Sequence, residues 1–379
     1  MEEKKFFFNG LNELRAFAAL FVILHHIELF KNRDQVGNLI ELRYFTYFIS
    51  SVGKNGVYLF FVLSGFLITF LLLKEKEKRN TILFRKFFLR RVFRIWPLYY
   101  LIVVVGFILI PYLASRFDIF KNTPYYFELV SNSENYSLKA ILLYLFFLPN
   151  LALDYFNIRV AGCSQAWSVG VEEQFYIIWP LLVFIFARKK IIYVFSVLLL
   201  TLIFFHVFLE PFPIFRILKI FPFEFMAIGA IGGYLYCYHK DQIVIFTKFK
   251  FIYILLVIAI FGLMFLPIAS FYVQSILLSF LFLGLILTTI NDDNKYAFRN
   301  KYMSHIGKIS YGVYMYHPFI LFLVFPLANT YLSYKGGMLF YNLFVYVSVF
   351  ALTILLSYFS YKYFESIFIN IKDTKYKSL

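Results

Sequence analysis

GVYLFFVLSGFLITFLLL, residues 56–73, runs directly into KEKEKR, residues 74–79, and this junction decides the fold. An uncharged stretch of this length is about what a helix needs to cross the hydrocarbon of a bilayer. Cations crowded just past its end mark a crossing that stops at a water interface. The remainder of the chain repeats the pattern. Of 379 residues, 61% are hydrophobic and only 15% charged, against roughly a quarter charged in a soluble domain. Mean hydropathy is +0.74. A water-soluble protein of this size could not cover that much apolar surface, so lipid is the expected solvent.

Working outward from 56–73, further apolar runs cover 11–30, 92–114, 167–187, 191–209, 221–238, 251–268, 271–290, 309–329 and 338–364. The expected fold is an all-α integral membrane bundle of about ten transmembrane helices. A shorter run, 138–153, is broken by Pro149 and reads as re-entrant or interfacial. The net charge of +16 does not point to nucleic acid, because Lys and Arg cluster in short loops between apolar runs. Lys74, Lys76, Lys78, Arg79, Arg85, Lys86, Arg90, Arg91 and Arg94 place residues 74–94 in the cytoplasm. Both termini then fall on that side, provided 138–153 does not cross. The polar stretch 115–137 is the longest expected outer loop. With no linker or repeat, 1–379 reads as one membrane domain, with a helical core over about 11–364 and a short cytoplasmic tail over 365–379. Cys163 and Cys237 form no disulfide or metal pattern, and no metal is expected. The first run keeps two histidines and lacks a small-residue cleavage site, so it reads as a retained helix rather than a signal peptide.

Five stretches carry chemistry. In LNELRAFAALFVILHHI, residues 11–27, Arg15 and His26 return to within about 20° of one helix face, roughly 16 Å apart along the axis. Buried ionisable groups in lipid are expensive and are functional hypotheses by default; the bland reading is a snorkelling Arg15 and a His26 tied to a carbonyl. In FLRRVFRIWP, residues 88–97, Arg90, Arg91 and Arg94 share a cationic face that suits phosphate oxygens, although positive-inside anchoring explains it equally well. In SQAWSVGVEEQFYIIWP, residues 164–180, Glu172 and Glu173 lie one turn into an apolar helix and need a partner. His26 is expected at similar depth. Ser64 and Gly65, within the opening stretch, read as helix-packing residues or site lining. IGKISYGVYMYHPFI, residues 306–320, contributes Tyr311, Tyr314 and His317.

In this order, the stretches resemble the acyltransferase-3 family of bacterial membrane O-acylases acting on surface polysaccharides, over residues 11 to about 319. The first-helix pattern falls on Arg15 and His26, FFVLSG on Phe60–Gly65, the basic stretch on Arg90–Pro97, WSLxVExQFY on Trp167–Tyr176 and SYxxYxxH on Ser310–His317. Three positions depart from the pattern. Tyr58 stands where an acid is common, and Val169-Gly170 stand where Leu and Ser or Ala are usual. The length resembles members without an appended esterase-like domain.

The resemblance implies a multi-pass protein of the bacterial cytoplasmic membrane, with acetyl-CoA as donor and a polysaccharide or lipid-linked glycan as acceptor. His26 is then expected as general base with Glu172 orienting it and Arg15 on the same stripe, and a covalent acetyl-His remains open. Arg90, Arg91 and Arg94 would hold CoA phosphates, with Ser64, Trp167, Ser168, Tyr176, Tyr314 and His317 lining the site. Intramembrane Arg, His and Glu also suit a flippase of lipid-linked sugars, against which no duplicated halves are seen. A succinyl or longer acyl donor is the other alternative.

Overall fold

The computed structural model of the chain describes residues 8–36, 42–188, 190–208, 217–268, 270–332 and 337–375. Leu209, the last residue of the 191–209 run, and residues 376–379 of the expected tail lie outside these. Among the described residues every regular element is helical. In chain order these are α1 (Leu11–Arg33), α2 (Arg43–Arg79), α3 (Phe84–Val104), α4 (Ile110–Arg116), α5 (Pro124–Ser131), α6 (Leu138–Leu145), α7 (Pro149–Asp154), α8 (Ala166–Ile185) and α9 (Ile191–Phe208). There follow α10 (Phe223–Tyr238), α11 (Lys240–Thr247), α12 (Lys250–Phe265), α13 (Phe271–Thr289), α14 (Lys301–Lys308), α15 (Ser310–Tyr331), α16 (Met338–Ser360) and α17 (Ser366–Lys375).

Among the described residues, seven helical segments are long and apolar enough to cross a membrane, or up to eight if the α11–α12 pair, bent by 81°, is one span. The protein is a multi-pass membrane protein. Length and composition do not reach the ten crossings expected from the sequence. Helix α1 carries Glu13, Arg15, Glu28, Lys31 and Arg33, and α10 has only 16 residues. The break expected near Pro149 is real, since 138–153 folds as two short helices joined through Phe147 at φ 57°.

Three boundaries differ from the sequence reading. Helix α2 is 37 residues long, about 55 Å, so it overshoots a hydrocarbon core of about 30 Å. Residues 115–137 are not an open loop but a chain of short helical turns around α5. The tail after 364 stays helical as α17, packed on α3.

Two close approaches position the site. Helices α2 and α10 meet backbone to backbone, for a Cβ on Gly65 would strike the Met226 carbonyl and one on Gly229 the Val62 carbonyl. Small residues allow such seams in membranes, and this one fixes Ser64 beside it. Gly170 of α8 likewise lies against Pro149 and the Phe147 carbonyl, where a Cβ would come within 2.8 Å of the Pro149 ring. That contact accounts for glycine at this departure from the family pattern.

The basic end of the bundle is tied together by cations on open carbonyls. Lys76 Nζ donates to the carbonyls of Val183, Phe184 and Phe186 at 2.6, 2.9 and 2.8 Å, closing the C-terminus of α8. Arg188 returns the contact by donating to the Lys76 carbonyl at 2.7 Å.

Candidate active site

The inner faces of α1, α2, α3, α8 and α15 carry a line of polar side chains. It begins near the basic end. Glu172 accepts from Ser64 Oγ at 2.9 Å and from the Tyr176 hydroxyl at 2.9 Å. Arg15 and Arg94 supply the positive charge acting on it, and Arg15 also donates to Asn12 Oδ1 at 3.4 Å. Arg91 lies over the Phe87 ring at 4.1 Å and 5.8 Å from the Tyr176 ring. Arg94 is exposed, while Arg15, Arg90, Arg91, Ser64 and Glu172 are half-buried. Phe60, Ser64 and Leu67 form a half-buried stripe on an otherwise buried stretch of α2. The side chains therefore border an opening in the bundle rather than sealed core.

A cavity of about 1020 Å³ opens beside this cluster, lined by Asn12, Glu13, Arg299, Lys301, His305 and Lys308 among others. None of its basic residues was singled out in the sequence, because cations at a helix end read as anchors.

One turn away from the basic end, the Ser168 hydroxyl meets the Tyr314 hydroxyl at 2.8 Å, and Tyr314 donates to the Gln165 carbonyl at 3.0 Å. Gln165 is buried and bridges the Gly162 and Met315 carbonyls. It was missed, because a glutamine just before the Ala166–Trp167 pair shows neither its burial nor its partners in the sequence. Trp167 is half-buried edge-on to Phe61 at 6.1 Å, turned into the bundle rather than serving as a lipid-interface anchor.

Farther along lie His26 and His317, with ring centroids 4.8 Å apart, and His25 is 5.1 Å from His26 on the other side. His26 Nδ1 contacts the Val22 carbonyl at 2.8 Å, and His317 Nδ1 the Tyr314 carbonyl at 2.6 Å. A carbonyl can only accept, so both rings carry their hydrogen on Nδ1 when neutral and present a lone pair at Nε2. His26 is half-buried and His317 fully buried.

The expected pairing of Glu172 with His26 does not occur. Glu172 is engaged by Ser64 and Tyr176, while His26 Nδ1 is tied to the Val22 carbonyl. Glu172 is one turn beyond Ser168, whereas His317 is three residues past Tyr314 on the opposite side. The two groups are separated by roughly 10 Å of axial rise. Glu173 faces elsewhere and accepts from Trp96 Nε1 at 3.2 Å. Tyr311 donates to the Ile95 carbonyl at 2.9 Å, and Tyr58 stacks on Phe225 at 3.7 Å. The basic face of α3 is also divided, with Arg91 folded over aromatic rings and Arg94 open. Among the described residues no cluster of His, Cys, Asp and Glu could hold a metal.

A second buried pair was not anticipated. Glu224 of α10 is fully buried with His206 Nδ1 at 3.4 Å, and His206 stacks on Tyr272 at 4.2 Å.

A family model described as an acyltransferase domain matches residues 8–362. The chain belongs to the acyltransferase-3 family. Among acyltransferase-3 relatives, O-acetyltransferase OatA of Staphylococcus aureus is 32% identical over 190 residues, 48% of this chain and 26% of that protein. Peptidoglycan O-acetyltransferase OatA of Listeria monocytogenes is 26% identical over 186 residues, 47% of this chain and 24% of that protein. Putative peptidoglycan O-acetyltransferase YrhL of Bacillus subtilis is 31% identical over 179 residues, 45% and 23% respectively. The chain thus spans about a quarter of the length of these curated relatives. No solved structure matches.

Proposed function

We propose that this chain is a membrane O-acyltransferase of the bacterial cytoplasmic membrane, moving acetyl from acetyl-CoA to a hydroxyl of a cell-surface or lipid-linked glycan. The observation that carries the reading is the series of polar side chains inside the bundle, from Arg94, Arg15 and Glu172, past Ser168 and Tyr314, to His26 and His317. Family membership and relatives named as O-acetyltransferases support it. Peptidoglycan, named for two of those relatives, is the first acceptor to try.

The donor substrate fits the basic end. Arg94 is exposed beside this cluster, where it can meet an anion arriving from water. CoA phosphates meet Arg94 and the adjoining basic cavity, and guanidinium forks pair with phosphate oxygens. The uncharged pantetheine arm suits the half-buried stripe of Phe60, Ser64 and Leu67 that faces the opening, since Ala19, Val22 and Ile23 between Arg15 and His26 are already packed against the protein. The thioester then lies near His26, whose Nε2 lone pair takes the acceptor hydroxyl's proton. Glu172 holds Arg15, Ser64 and Tyr176 in place and takes no part at His26. In this topology the basic end is cytoplasmic, α1 and α10 complete ten crossings, and 1–379 acts as one membrane domain.

The test is transfer of label from [acetyl-¹⁴C]acetyl-CoA in membranes expressing the protein, beside His26→Ala. A base-labile glycan label that falls about 10²–10⁴-fold in the variant supports the reading. Full transfer by His26→Ala, with the protein inserted normally, overturns the base assignment.

A further inference from the structure

We propose that His317 is the positioning residue for His26, its Nε2 accepting a hydrogen bond from His26 only once that ring has been protonated. This rests on the reading of His26 as the base. With Glu172 engaged by Ser64 and Tyr176, His26 lacks the carboxylate that would steady its charged form. The groups acting on it electrostatically are His317, His25 and Arg33, all basic.

His317 has the features of a substitute. It is fully buried, and its Nε2 has no hydrogen-bond partner among the described residues. Its Nδ1 is committed to the Tyr314 carbonyl at 2.6 Å, so the tautomer is fixed and the free edge is an acceptor. An unpaired buried acceptor costs stability. At 4.8 Å between ring centroids the ring edges are within about 4 Å of each other.

In the neutral state His26 also presents a lone pair, because its Nδ1 is committed to the Val22 carbonyl at 2.8 Å. Two lone pairs cannot bond. One added proton on His26 turns a mismatched pair into a donor and an acceptor. The contact is therefore absent in the ground state and formed as charge develops, the condition for lowering a barrier rather than tightening binding.

The step balances. The acceptor oxygen bonds to the thioester carbonyl carbon while its proton passes to His26 Nε2. The carbon–sulfur bond breaks and the thiolate leaves. The proton, held on His26 Nε2 and shared with His317 Nε2, then moves to the thiolate, giving the ester and the free thiol with both rings neutral again.

Steady-state transfer is measured for the full chain in membranes carrying wild type, His317→Leu, His317→Gln, His26→Ala and the His26→Ala/His317→Leu double variant, each normalised to monodisperse extracted protein. His317→Leu is expected to lower kcat on the order of 10²-fold, the scale for losing one partner of a developing charge, with KM for donor and acceptor unchanged. His317→Gln can place its amide oxygen where Nε2 lies and recovers part of that loss. The double variant is expected to match His26→Ala, since two groups serving one proton are not additive. An unchanged kcat in His317→Leu, a loss confined to KM, no recovery by Gln or a further drop in the double variant overturns the proposal. Full activity in His26→Ala instead overturns the base reading beneath it.

Discussion

Two polar clusters share the interior of this bundle and are built in opposite ways. Around Glu172 every partner is already present, with a serine hydroxyl, a tyrosine hydroxyl and two guanidiniums serving one carboxylate. Around His26 there is no carboxylate, and each imidazole is tied back to its own helix or to a neighbouring carbonyl. The first cluster is satisfied as it stands. The second is satisfied only after a proton arrives. A site that holds a fixed charge needs preformed complements, whereas a site that changes charge needs partners kept in reserve.

The largest expected effect separates the two directly. His26→Ala should lower transfer by about 10²–10⁴-fold with little change in the thermal midpoint of the extracted protein. Glu172→Ala should lower the midpoint instead, because it strands Arg15, Ser64 and Tyr176. Loss of a partner to a charged group costs about 1.5–3 kcal/mol per bond, and partial exposure places this site at the low end. Equal stability loss in both variants would erase the distinction.

Next, Arg91→Ala with Arg94→Ala should raise the KM for acetyl-CoA about tenfold, equivalent to about 1.4 kcal/mol, while leaving kcat in place. A fall in kcat alone would move these arginines out of the docking role. The effect should shrink as salt is raised, since Arg94 is exposed and screened.

The smallest effect extends the contrast to a carboxylate just past α1. Asp34 accepts from Asn329 at 2.8 Å, and Tyr341 donates to Asn329 at 2.6 Å. Burial raises its pKa to about 6 from 3.8, against the opposing pull of Asn329 and Arg33. A raised carboxylate binds protons more readily when folded, so its contribution to stability is present at low pH and is lost as pH rises from about 4 to 6. Asp34→Asn should flatten that slope, by about 1 kcal/mol after discounting for its partial exposure, as read from thermal midpoints across that range. An unchanged slope would show that Asp34 is solvated in both states.

Much of this was legible in the chain. Cations after residue 73 and the spacing of Arg15 and His26 follow from helix geometry and the cost of charge in lipid, which act locally. The partner of Glu172 was not legible. Ser64 lies 108 residues away in sequence and reaches Glu172 only through the packing of α8 on α2. The glycine at 170 was visible as a departure, but its cause, the Phe147 carbonyl and Pro149 ring, is a tertiary contact. Gln165 and the pair of Glu224 with His206 were hidden for the same reason, since polar residues in apolar runs show their cost and not their partner. His317 was legible as a member of a motif, while its unpaired Nε2 is a property of the fold.

The seam of Gly65 and Gly229 also has a mechanical side. Where two helices touch through backbone alone, no rotamer change can let them slide or part. Helices α2 and α10 therefore behave as a keel. Any rearrangement of the bundle falls instead to helices such as α15 and α16, which pack on each other through side chains that can repack.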